Sequence, residues 1–73
     1  MLGGPLVPAN AIVDTIEEST LLKIGKYKVK VYGAVPPFLN HSRVYEITAP
    51  SDGDAARACI GVFVREIQRK LLN

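Results

Sequence analysis

Tryptophan is absent from the 73 residues, cysteine and histidine occur once each, and no apolar run approaches the length of a membrane-spanning helix. One cysteine cannot close a disulfide within the chain. Cys59 and His41 together fall short of any Cys/His zinc set, so neither a covalent nor a metal staple is expected. The first residues lack the basic segment and continuous apolar run of a secretory signal, so the expected location is the cytoplasm or a soluble or virion assembly. Charge of one sign is scarce too. Nine Lys and Arg against seven Asp and Glu give a net +2, mild beside a protein held mainly by phosphate neutralisation. Internal repeats and low-complexity tracts are missing as well.

What the chain does contain is enough to fold. Hydrophobic residues make up 48% and charged residues 22%, with a mean hydropathy of +0.16, a balance typical of ordered domains. A chain this short supports one core and buries only about 60% of the surface its unfolded form exposes. Hydrophobic gain then barely exceeds lost conformational entropy. Burial against a partner, which stabilises by mass action, is the expected remedy. The core must rest on Val, Ile, Leu and Ala, with Tyr27, Tyr32, Phe38, Tyr45 and Phe63 as its larger pieces.

Residues 1–9, MLGGPLVPA, combine paired glycines and two prolines with apolar Leu2, Leu6 and Val7, and read as an extended arm ahead of one small domain over 10–73. From Asn10 the pattern changes: Ala9, Ile12, Val13 and Ile16 fit a short helix capped by Asn10, and that helix is the expectation. The alternative, supported by β-branched Thr15, Ile16 and Thr20, is a strand segment ended by a bulge at Gly25. Lys26 to Tyr32 alternates at period two, with Tyr27, Val29 and Val31 opposed to the lysines, and reads as a strand. Arg43 to Ala49 reads as a second, antiparallel to it, with Tyr45, Ile47 and Ala49 on one face. The segment 35–42 between them is too long for a tight hairpin, and its double proline predicts an extended, projecting loop. Pro50 and Ser51 stop the strand, and Ser51 or Asp52 caps a helix whose stripe is Ala56, Ile60, Phe63, Ile67 and Leu71. The expected fold class is α+β: a two- or three-stranded antiparallel sheet packed on a C-terminal amphipathic helix, with an extended N-terminal arm and room for a short N-terminal helix.

Few residues here carry chemistry. His41 and Ser42, with Asp52 and Asp54 a strand later, have the residue types of a hydrolytic triad. No nucleophile-elbow glycines surround Ser42, however, and so short a chain offers little wall for a desolvated pocket of roughly 300 Å³. No enzymatic activity, catalytic residue, metal or cofactor is expected. Asp52-Gly53-Asp54 is better explained as a helix cap than as a calcium loop, whose further ligands are missing. Cys59, beside the apolar stripe, reads as an inert small hydrophobe. Lys26, Lys28 and Lys30, with Tyr32 on the same strand face, form the one local basic cluster, and Arg65 and Arg69 follow on the helix. Such a face either holds RNA or keeps an edge strand from aggregating. Ala58 and Val62, grouped with Ala55, form an apolar seam away from the main helical stripe. With the arm and the Phe38-Leu39 loop tip, it makes three apolar surfaces pointing in different directions.

The stretch from Lys26 to Leu71, with YKVKVYG, RVYEITAPSDGDA and FVREIQRK, is similar in outline to LX-type large-subunit ribosomal proteins. That family shares a strand, a proline-containing connection, a strand ending near Ala-Pro and an Ala-rich helix. The match spans under two-thirds of the chain and lacks the basic segment and final strand that follow the helix there. SRVYEITAPSDGDAA also resembles the small head-to-tail joining proteins of lambda-like phages. The first resemblance implies a ribonucleoprotein component and the second a virion assembly subunit; neither transfers functional residues.

The expected function is that of a non-catalytic structural or assembly subunit of a larger complex. Its partners would be larger protein subunits or further copies of itself. Contacts are expected from Leu6, Val7, Phe38, Leu39, Ala58 and Val62, and Phe38→Ala is expected to weaken incorporation while sparing the isolated fold. The alternative is an RNA-binding component of a ribonucleoprotein, touching phosphates through Lys26, Lys28, Lys30, Arg65 and Arg69.

Overall fold

The computed structural model describes residues 8–72. Three strands and a helix follow in the order β1 (Ala9–Ser19), β2 (Ile24–Gly33), β3 (Ser42–Ala49) and α1 (Asp52–Leu72). The strands form an antiparallel meander ordered β1-β2-β3, and α1 packs on one face of it, giving an α+β fold. The arm residues Leu6 and Val7 lie outside the described residues. The chain enters at Pro8, whose carbonyl accepts the Ala34 N–H at 2.9 Å.

β2 is central because its alternation serves both neighbours at once. Tyr27, Val29 and Val31 are buried against α1, while Lys26, Lys28 and Lys30 face away. On β3 the same register places Ile47 beside Tyr27 and Tyr45 beside Val29, on the face the sequence assigned to them.

The short helix expected from Asn10 onward does not form; the segment is the strand β1. Ala9, Ala11 and Val13 alternate toward the core, and Ile12 points to the opposite face. A helix would gather Ile12, Val13 and Ile16 on one side, but ten β2 positions stand ready to pair, and the β-branched residues suit a pleated strand. Asn10, read as a cap, instead lies opposite Tyr32. A β-bulge at Ile16, between Thr15 and Glu17, shifts the register. The turn that follows is tight: Leu22 N–H donates to Ser19 Oγ at 3.2 Å, and Lys23 takes a left-handed φ of 55°.

α1 begins as its sequence signals. Ser51 Oγ accepts the Asp54 N–H at 3.2 Å and donates to Asp54 Oδ2 at 3.0 Å, so Ser51 acts as the N-cap and the Asp54 carboxylate holds its hydroxyl in place. The buried line along it is Ala55, Cys59, Phe63 and Ile67, not the stripe through Ala56, Ile60 and Leu71. Residues four apart lie on one flank of an α-helix, and this flank, with half-buried Ile60 and Val64 beside it, meets the sheet. Ala55, expected in the outer seam, is therefore wholly buried.

The connection before β3 departs most from the sequence reading. It makes two successive turns, with Phe38 N–H donating to the Val35 carbonyl at 2.8 Å and His41 N–H to the Phe38 carbonyl at 3.0 Å. Phe38 is thereby folded inward, 7% exposed, its ring centroid 6.4 Å from that of Phe63. The loop does not project an aromatic tip: the phenyl ring finds apolar contact beneath α1 instead of facing water. This approach requires a glycine at position 33, since a Cβ there would overlap the Phe38 carbonyl.

Candidate interaction surface

With α1 on one face only, the other face of the sheet is left uncovered among the described residues. The pairing register arranges its side chains in rows. At one end Asn10, Tyr32 and Ser42 lie side by side, and next come Ile12, Lys30 and Val44. Asp14, Lys28 and Glu46 form the third row, and Glu17, Lys26 and Thr48 the fourth. The lysines thus run down the middle with carboxylates on both flanks. Three lysines and three acids (Asp14, Glu17 and Glu46) leave the face with no net formal charge, and the register sets opposite charges side by side.

The apolar residues collect at the two ends. Ile12, Val44 and Leu39 are each more than half exposed, with Tyr32 among them. Leu39 and His41, with Ile12, Lys30 and Tyr32, line an open groove of about 540 Å³. At the far end Leu22 and Ile24 border a second depression of about 280 Å³ with Glu17 and Lys26. Leu21, at the β1–β2 turn, is 89% exposed.

The residues singled out from the sequence are distributed as follows. Leu39 lines the groove. Phe38 is a core residue, so it is not an exposed anchor. Ala58 is exposed and Val62 half-buried; with Glu66 they are spaced four apart on one helix flank. That flank overlies β3, because Tyr45 Oη donates to Glu66 Oε1 at 2.6 Å. Lys26, Lys28 and Lys30 do share a face. Arg65 and Arg69 are on exposed turns of α1, which covers the other side of the sheet, so the fold separates the two halves of the expected basic set. Sequence reasoning missed Ile12 and Val44 as surface residues, although the even-numbered alternation of β3 had already set Val44 with Glu46.

His41 and Ser42 stand at the start of β3, and Asp52 and Asp54 beyond its end, roughly 25 Å away at about 3.4 Å per residue. The Asp54 carboxylate is engaged locally. It pairs with Arg57 one turn on, and the hydrogen bonds from Arg57 and Ser51 hold it below the usual carboxylate range. Cys59 is 2% exposed, and burial pushes its thiol up, which suits an unreactive core residue. Among the described residues no group of three His, Cys, Asp or Glu is placed to hold a metal ion, and no helix is long and apolar enough to cross a membrane.

No known protein family matches this chain, and no curated protein or solved structure matches it either. The outline similarities to ribosomal and phage joining proteins therefore add nothing to the argument from the residues themselves.

Proposed function

We propose that this protein is a non-catalytic assembly subunit that docks onto a larger protein through the uncovered face of its sheet. The observation that carries this reading is the row of exposed apolar side chains, Ile12 and Val44 flanking Lys30, with Tyr32 and Leu39 beside them. Water contact at such a patch is relieved by a complementary protein surface, and aromatic and aliphatic anchors at its centre supply most of the affinity. The charge pattern supports a protein partner over RNA. Each of Lys26 and Lys28 has a carboxylate opposite it on a neighbouring strand, which weakens the positive field a phosphate backbone requires.

The test is recovery of the complex from the native source with the wild-type chain and with Ile12→Glu and Leu39→Glu, two exposed positions whose change spares the core. Association that survives nuclease and high salt, and is lost in both variants, supports the reading. Association abolished by nuclease, or unaffected by either substitution, overturns it in favour of RNA or of another surface.

A further inference from the structure

β3 is an edge strand, and its outer side is unpaired among the described residues. Natural edges are usually protected by a bulge, a proline or a lysine. β1, the other edge, has its bulge at Ile16 and carries Asp14, Glu17 and Glu18. The eight residues of β3, SRVYEITA, include no lysine and no proline, and their pairing with β2 runs from Ser42 to Ala49 without a register shift. Such a strand is a template for another.

We propose that the occupant of this edge is a second copy of the same strand, paired antiparallel about a two-fold axis at Val44. Two-fold pairing of identical strands opposes one residue to its own copy, and the side chains of directly opposed residues share a face. Centring on Arg43 or on Glu46 opposes like charges. Centring on Tyr45 sets Arg43 against Ile47, and centring on Ile47 brings no unlike charges together.

Centring on Val44 sets Arg43 of each copy opposite Tyr45 of the other, on the α1 side of the sheet. The Tyr45 hydroxyl already holds the Glu66 carboxylate there, so each guanidinium meets an anion from the other copy. On the open face Val44 meets Val44, and the Ser42 hydroxyl meets Glu46. Arg43 is exposed, and among the described residues its guanidinium makes one hydrogen bond, to the neighbouring Ser42 carbonyl, which leaves donors for a carboxylate. The helix flank above this edge carries Ala58 and Val62, whose modest size leaves room for the second copy. The product is a continuous six-stranded sheet with both helices on one side.

Analytical ultracentrifugation over a concentration series tests the pairing, with circular dichroism to verify folding of each variant. Wild type is expected to double its mass from 7.9 kDa as concentration rises. Arg43→Glu and Glu66→Arg are each expected to stay monomeric, and the double exchange to restore the dimer. Val44→Lys, at an exposed site remote from Glu66, is expected to abolish it by opposing two lysines. A monomeric wild type overturns the proposal, as does a dimer indifferent to these substitutions. Ile12→Glu and Leu39→Glu leave this edge intact, so failure of the open-face reading is distinguished by those variants.

Discussion

Phe38 and Tyr45 show how a side chain's role follows from its surroundings. Phe38 lies in a segment of prolines and polar residues, where a sequence reading expects an exposed tip, yet it packs on Phe63 within the core. Phe38→Ala is therefore expected to destabilise the isolated domain by about 3 kcal/mol, read as a lowered midpoint in urea; an unchanged midpoint would restore it to the surface. Tyr45 was legible as an inward residue of β3, but its hydroxyl partner on α1 was not, since the two are 21 positions apart in the chain. Burial first, and then the hydrogen bond to Glu66, hold its phenol above the usual tyrosine value. Because the folded state binds that proton more tightly than the unfolded one, the stabilisation is complete below the ordinary tyrosine pKa of about 10 and is lost as pH rises through the folded value. Denaturant midpoints should fall above about pH 10, and Tyr45→Phe should remove part of that decline. If the mutant and wild-type curves run parallel, the hydrogen bond has no such role.

The elements differ in how locally they are encoded. β2 and β3 are written in period-two alternation, and α1 in a stop signal, a cap and acidic residues ahead of basic ones. Each of these signals acts over a few residues, so they are readable without knowing the fold. The cap is testable on its own terms: Ser51→Ala removes an acceptor for the Asp54 N–H and should cost about 1 kcal/mol, with a loss below a few tenths showing that another group takes over. β1 is different. Its apolar residues satisfy a helical period and a strand period together, and pairing with β2 decides between them, with the bulge at Ile16 absorbing the mismatch. The face that α1 buries was misread for a similar reason. Several apolar residues circle the helix, and packing against a sheet formed by distant segments selects Ala55 and Cys59 over Ala56 and Ile60.

At the scale of the whole molecule, a domain with one helix on one sheet has little reserve. Cores of this size rarely supply more than about 3–5 kcal/mol, and truncating a wholly buried aromatic removes a comparable amount. Phe63→Ala should leave the chain unfolded at room temperature by circular dichroism, and a persistent cooperative melt would mean that the core extends beyond α1 and the sheet. The thin reserve is consistent with burial against a partner, and the uncovered sheet face offers the area for it. Taken by itself, the sequence determined that the chain is α+β, which side of β2 and β3 is wet, and where α1 starts, because these follow from periodicity and capping between near neighbours. Only the tertiary structure decided that residues 9–19 extend rather than coil, that Phe38 turns inward, and that the lysines of β2 and the arginines of α1 lie on opposite sides. Those outcomes depend on which distant segments meet, and strand pairing and core packing between distant residues leave no mark in the local pattern.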